Sequence, residues 1–194
     1  MRRAAGGACA AGSAGATMRT LTLAIAAACV AACQSAPQRP LPLAAHVDLA
    51  RFMGDWHVIA ASPTWIDAHA FDAVESYRLA ADATVETTYT FRDGGFDGPQ
   101  HVYRPRGFVR DRVSNAVWDM QFVWPFRADY RIAYVSADYR QVVIAREKRD
   151  YAWIMARSPS IPEADLLRHL DLLARAGYDT KTLRRVPQRP ARPS

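Results

Sequence analysis

The chain has 194 residues, half of them hydrophobic, with 25 basic and 19 acidic side chains and a formal charge of +6. That is enough apolar material for one domain with a sizeable core, and too much for a disordered chain. Residues 1–32 carry Arg2, Arg3 and Arg19 and no acid, so the remainder sets 22 bases against 19 acids; with no recognised motif beside so slight an excess, nucleic acid is excluded as a partner.

Leu21 to Ala32 is an unbroken run of small and apolar residues preceded by Arg19. It is too short to span a bilayer and reads as the apolar region of a signal peptide, with Met18 as an alternative start. The run ends in Val30-Ala31-Ala32-Cys33, the pattern of a bacterial lipobox, which predicts acylation of Cys33 and removal of residues 1–32. Two or three acyl chains hold a protein stably where one does not. Cys9 and Cys29 leave with the signal, so Cys33 has no intramolecular disulfide partner. Gln34 follows Cys33, where an inner-membrane retention signal would place Asp. The expected location is therefore the outer membrane, in the periplasm-facing leaflet.

Residues 33–45 are rich in Pro and polar side chains and predict a tether, with a folded domain over 46–188 and a basic tail over 189–194. Strand-like segments recur at short intervals: Trp56–Ala61, Val74–Leu79, Thr84–Phe91, His101–Asp111, Ala116–Val123, Tyr130–Val135, Gln141–Arg146 and Tyr151–Arg157. Ala80–Ala83 is a hairpin turn, and Asp93–Pro99, with three glycines, is a loop. Eight strands are the number that closes an antiparallel up-and-down barrel wide enough for one small ligand.

The period then becomes helical. Ser160-Ile-Pro-Glu163 has the form of a capping box, Leu166, Leu170 and Leu173 belong to an apolar stripe, and Gly177 stops the helix. This helix should bury its stripe against the outside of the barrel. Val186–Gln188 predicts a weak further strand. Arg184, Arg185, Arg189 and Arg192 read as a solvated or membrane-proximal basic end.

Alternation along the strands predicts the interior. One face carries Trp118, Met120, Phe122 and Trp124; others carry Val85, Thr87, Tyr89 and Phe91, or Tyr130, Ile132 and Tyr134, or Trp153 and Met155. Large aromatics and methionine with few polar groups describe an apolar ligand cavity. Tyr89, Trp118, Met120, Phe122, Tyr134, Trp153 and Met155 are the expected ligand contacts, with no polar constellation demanding a particular headgroup.

Three stretches carry a family resemblance: Gly54-Asp-Trp56-His-Val-Ile59-Ala60, then Tyr130-x-Ile132 through Asp138-Tyr139, then Tyr151-x-Trp153-Ile154-x-x-Arg157-x-Pro159. In order and spacing they resemble the lipocalin family, in its bacterial outer-membrane lipoprotein branch. The resemblance covers about Val47 to Val186. It implies an all-β barrel in which Gly54, Trp56 and Arg157 close one end, Arg157 stacking on Trp56. It implies storage or transport of a hydrophobic lipid, a fatty acid or lysophospholipid, and leaves a homodimer open. His57, Trp124 and Ala137 depart from the family pattern, which puts pocket shape in question.

Enzymatic signatures are missing: no nucleophile elbow, dinucleotide loop or zinc-binding His-Glu-x-x-His occurs. No catalytic residue, metal ligand or cofactor is therefore expected. Two other readings are a carrier of a tetrapyrrole or other pigment, for which His101 is the strand histidine, and a lipocalin-fold enzyme, for which Glu75 is the one inward carboxylate. Trp65, Phe71, Phe96 and Phe126 fall in or beside loops, where aromatics either cap the barrel or meet a partner.

Overall fold

The structure, a computed structural model, describes residues 40–190. The signal region, Cys33 and Arg192 lie outside them. The chain forms a short helix α1 (Leu49–Phe52) and strands β1 (Gly54–Ala61), β2 (Ala70–Leu79), β3 (Thr84–Asp93), β4 (Gln100–Tyr103), β5 (Arg106–Val109), β6 (Val117–Val123), β7 (Phe126–Val135), β8 (Gln141–Ala145) and β9 (Trp153–Ala156). Helix α2 (Glu163–Arg175), a 3-10 turn (Thr180–Thr182) and β10 (Arg184–Arg185) follow.

All neighbouring strands are antiparallel, and β9 pairs back onto β1, so the sheet closes. Strands β4 and β5 are two halves of one wall: β4 pairs with Tyr89–Arg92 of β3, and β5 with Thr84–Glu86. The break falls at Arg104–Pro105, where proline has no N–H for the ladder. Counting that wall once gives an eight-stranded barrel, the predicted architecture. Closure leaves no long free edge.

The register is not uniform. Shifts occur between Val58 and Ala60 in β1, Phe71 and Val74 in β2, Met120 and Val123 in β6, and Ile132 and Tyr134 in β7. Each breaks the two-residue period, so the face a side chain takes beyond it cannot be read by alternation. In β7, Tyr130 and Ile132 point inward, whereas Ala133 and Tyr134 join the cluster outside the barrel.

Two apolar clusters result. The inner one gathers Trp56, Val58, Tyr77, Val85, Phe91, Trp118, Tyr130, Ile132, Ile144 and Met155. The outer one lies under α2, where Leu166, Leu173 and Ala176 meet Ile59, Val143, Ile154 and four alanines at 133, 145, 152 and 156. Small side chains on that wall let the helix approach closely. His169 is buried in the same face, its Nε2 2.6 Å from Gln141 Oε1 and its ring 5.2 Å from Tyr134.

Several sequence expectations shift at the ends. The Ser160–Glu163 capping box does not form: Pro162 is the N-cap without a side-chain bond, and Glu163 pairs with Arg185 instead. Gly177 does end the helix, at φ +95°, with the Tyr178 N–H reaching back to Leu173 O at 3.1 Å. The chain joins the barrel upstream of His46, for Leu41 is buried against the outer cluster and Ala44 N–H donates to Ile132 O at 2.9 Å. The extra strand forms at Arg184–Arg185, on Ala60 and Ala61, with only Val186 N–H continuing it to Ile59 O. Arg184 donates to Ala70 O, and Arg189 pairs with Asp72 and Asp97 at 3.0 Å each. The described part of the basic tail is thus tied down.

Candidate functional site: a cavity with one sealed end

The sealed end is built from Arg157 outward. Asp48 caps α1 through its side chain, and this one turn of helix runs across the barrel end, where its last carbonyls need donors. Arg157 supplies them. Its Nη2 lies 2.9, 3.0 and 2.8 Å from the carbonyls of Arg51, Phe52 and Met53, and its Nη1 is 2.8 Å from Asp55 O. The guanidinium carbon sits 3.8 Å from the Trp56 ring centroid. Trp56 Nε1 donates to Phe52 O at 2.8 Å, so the ring is held from both sides. Gly54 has φ +95°, and a Cβ there would lie 3.3 Å from Arg157 Nη1. The glycine is needed for backbone conformation and for the approach of the guanidinium. Above this seal Phe52, Tyr77, Trp118 and Tyr130 pack ring against ring at 5.4 to 6.5 Å between centroids.

Above the stack lies a cavity of about 400 Å³. Glu75, Thr87, Met120 and Tyr130 form its floor; Tyr103, Pro105, Ala128 and Trp153 form its wall. Thr64, Trp65, Ile66, Phe122, Val123, Asp129, Arg146 and Tyr151 surround the mouth. Of the seven expected contacts, Met120, Phe122 and Trp153 line this space. Trp118 and Met155 are fully buried in the core instead, and Tyr89 turns its hydroxyl to Asp67 at 3.0 Å. Tyr134 packs outside the barrel on His169, because the shift after Ile132 turns it over. Trp124, expected inward, is 81% exposed.

The mouth is apolar on its outer side as well. Trp65 is 93% exposed and Phe126 75%, beside Trp124, Val123 and Phe122. Isolated exposed apolar residues need no explanation, but a contiguous group at a cavity entrance marks a contact surface. The loop bearing Trp65 is fixed, since Asp67 accepts from Thr64 N–H and Oγ1 at 2.7 and 2.6 Å and from Tyr89. Phe71 and Phe96 do not belong to this rim. They pack on each other at 5.2 Å, with Arg189 over Phe96.

The floor carries polar groups that alternation did not predict as a set. Glu75 is buried, and its Oε2 accepts a short hydrogen bond from Tyr77, whose oxygen is 2.6 Å from that of Tyr130. Burial pushes the Glu75 carboxyl up to about 7; the Tyr77 bond opposes the shift and nearby Asp67 adds to it. Burial likewise raises Tyr77 and Tyr130, which stay protonated donors. Thr87 Oγ1 is buried without a partner. At the mouth Arg146 is the cation beside the cavity; its Nε is buried and unpartnered, and Nη1 is 3.4 Å from Asp150. Asp129 is neutralised by Arg131 at 3.0 Å. Among the described residues no group of three His, Cys, Asp or Glu could hold a metal. His101 stacks on Phe91 at 5.2 Å and does not line the cavity. The signal for the floor was present as inward Glu75 and Thr87 on adjacent strands; Tyr77, which bonds Glu75, lies two residues on in β2, and only Tyr130, from β7, comes from the opposite wall.

A closed eight-stranded barrel, sealed by an Arg–Trp stack and hollow at its other end, is the lipocalin arrangement. The family model described as a lipocalin-like domain matches residues 47–188, and the chain belongs to that family. It is similar to the outer membrane lipoprotein Blc of Escherichia coli K12, 28% identical over 178 residues, covering 84% of this chain and 93% of the relative. It is also similar to temperature-induced lipocalin-1 of Arabidopsis thaliana, 26% identical over 73% of this chain and 80% of the relative. Among solved structures, insecticyanin of the tobacco hornworm Manduca sexta superposes with a TM-score of 0.60 at 12% identity, covering 76% of this chain and 84% of that one. Lobster apocrustacyanin A1 gives 0.58 at 10% identity, covering 80% and 94%.

Proposed function

We propose that this protein is a membrane-anchored carrier that takes up a single-chain lipid, a fatty acid or a lysophospholipid, and stores or transfers it without chemistry. The observation that carries the reading is the apolar cavity of about 400 Å³, sealed below by Arg157 and Trp56 and open at a rim of exposed aromatics. The volume is at the lower end for ligand sites, which suits one acyl chain better than two. Burial of that chain against Met120, Ala128 and Trp153 is favoured by about 25 cal/mol per Å². Arg146 at the mouth suits an anionic headgroup left near solvent. The rim of Trp65, Trp124 and Phe126 suits contact with a bilayer, from which such a ligand comes.

The anchor is acylated Cys33, and the location is the outer membrane, facing the periplasm. The lipobox supports this, as does similarity to relatives named outer membrane lipoproteins. Replacing Cys33 by Ser should remove the acyl mass and release the chain into the soluble fraction; an unchanged membrane fraction would refute the anchor. For the ligand, the Cys33→Ser protein is titrated with an environment-sensitive fatty acid and with lysophospholipid. Saturable quenching of Trp153 in the micromolar range is expected, and is lost in Trp153→Phe. A Soret band on adding haem, with no response to either lipid, would transfer the cavity to a tetrapyrrole.

A further inference from the structure

The first described residues and the exposed rim lie toward the same end of the barrel. Helix α2 fixes the direction. It starts beside the seal, where Asp165 accepts from Gln141 Nε2 at 2.6 Å and Arg157 N–H bonds Arg140 O at 2.9 Å. Past its end, toward the mouth, the Tyr178 hydroxyl lies 2.7 Å from Arg146 N and 2.9 Å from Arg146 O. Pro40 and Pro42 share a groove with Leu172, Arg175 and Ala176 at that mouthward end. From there the chain descends: Ala44 reaches Ile132 O, Val47 reaches Ser114 O, and α1 crosses the seal.

Chain length then limits how the barrel can stand on its anchor. From Cys33 to Pro40 the backbone reaches at most about 25 Å. The β6–β7 hairpin runs on past the Arg131–Ala145 pair, where β8 ends, to its turn at Trp124–Pro125, roughly 20 Å away. The tether is long enough to hold that tip against the membrane carrying Cys33. Val47, at the level of the seal, lies roughly 20 Å below Pro40, so standing on the seal would take almost the whole reach.

The rim has the chemistry of a bilayer boundary. Trp65, Val123, Trp124 and Phe126 are exposed, with Arg127 beside them and Lys148 on the neighbouring β8–β9 loop. Neither cation forms an ion pair among the described residues; Arg127 lies over the Phe108 ring at 3.8 Å. The acids nearby are spent: Asp129 on Arg110 and Arg131, Glu147 on Arg131, Asp150 on Arg146. Aromatics with unpaired cations suit anionic headgroups. Two copies mouth to mouth would instead bring these like charges together.

We infer that the barrel stands mouth-down on the same bilayer that holds Cys33, with Trp65, Trp124 and Phe126 seated among its headgroups and Arg127 and Lys148 on its phosphates. This orientation rests on the reading of Cys33 as the anchor and of the rim as a bilayer contact, and adds that one membrane serves both. A ligand then passes from leaflet to cavity without crossing water.

The test uses the acylated chain reconstituted into dilute vesicles of phosphatidylethanolamine and phosphatidylglycerol with brominated acyl chains. A Trp153→Phe background keeps lipid inside the cavity silent. Trp65 and Trp124 should be quenched by their own vesicle, and the quenching should vanish in Trp65→Phe with Trp124→Phe, where only buried Trp56 and Trp118 emit. On the Cys33→Ser chain, replacing Trp65, Trp124 and Phe126 by Ser should lower partition onto these vesicles about tenfold or more. Arg127→Ser with Lys148→Ser should lower it about tenfold, and hardly at all on phosphatidylcholine. Melting curves confirm that each variant is folded. If quenching of the anchored chain requires a second set of brominated vesicles, the mouth faces away and the inference falls while the anchor stands. Partition unchanged by the Ser variants would remove the rim from the contact. A rim shielded in a dimer and not quenched by lipid would assign it to a second copy. A chain without acyl mass removes the anchor, and this inference with it.

Discussion

The two ends of the barrel use the same kinds of side chain for opposite purposes. At the sealed end Trp56, Phe52 and Trp118 are fully buried, because α1 lies across the opening and Arg157 fastens its carbonyls. At the mouth Trp65, Trp124 and Phe126 are exposed, because no segment among the described residues crosses over them. Aromatic content is therefore no guide to whether a barrel is solid or hollow. What decides is whether a backbone element with satisfied hydrogen bonds can be laid across the end. The seal depends on a polar device, a guanidinium serving five carbonyls, those of Arg51, Phe52, Met53, Asp55 and Tyr139, and the hollow depends on the lack of one.

That contrast predicts a gradient of effects, steepest at the seal. Trp56→Ala empties a site packed on all sides and should cost about 3–5 kcal/mol, read by denaturant unfolding. A midpoint unchanged from wild type would show that the sealed end is not a core.

Between the ends, Glu75 should make stability depend on pH. Its carboxyl is raised from an ordinary value near 4.5 to about 7 in the folded protein, so folding favours the protonated form. The unfolded chain loses that proton first, and stability should fall as pH climbs from about 4.5 to 7 and then level off. The full shift corresponds to about 3 kcal/mol. Glu75→Gln should flatten this slope and be more stable than wild type at pH above about 8. Parallel pH profiles of the two proteins would show that Glu75 ionises freely.

Arg157→Lys keeps the charge but loses the planar fork that reaches several carbonyls at once. It should cost about 1–2 kcal/mol from the stacking and hydrogen bonds together, and should expose Trp56 to fluorescence quenchers. Full retention of stability would reduce the seal to a simple charge contact.

Smallest in stability should be the mouth. Replacing Trp65, Trp124 and Phe126 together by Ser should shift unfolding by no more than about 0.5 kcal/mol per site, since these side chains are largely solvated. The same variant should take up lipid from vesicles more slowly at unchanged affinity for dispersed lipid. A large loss of stability would mean that the rim is core, and the comparison between the ends would collapse.

Much of the sealed end was legible. Glycine, tryptophan and arginine are recognisable at a distance because the contact constrains all three: positive φ and a close guanidinium require Gly54, and only a flat cation both stacks on Trp56 and serves several carbonyls. Helix α1 was not foreseen, since four residues carry no period, though Asp48 before Leu49 was an available N-cap signal. The cavity was legible in part. Met120 and Trp153 follow from alternation, but Tyr134 was misassigned because a register shift leaves no mark in composition. Trp118 and Met155 were placed inward correctly, yet depth along the barrel decides whether an inward residue lines space or fills it.

By itself the sequence determined the strand count, the turns, the outer helix and the family, since those follow from local period, breaker residues and motif order. Only the tertiary structure decided where the barrel is hollow, which way residues beyond each register shift face, and that Tyr130 of β7 meets Glu75, Tyr77 and Thr87 of the β2–β3 hairpin at one floor. The reason is that these depend on closure, which brings β1 to β9 and opposite walls face to face. Distances across a closed barrel have no counterpart in spacing along the chain.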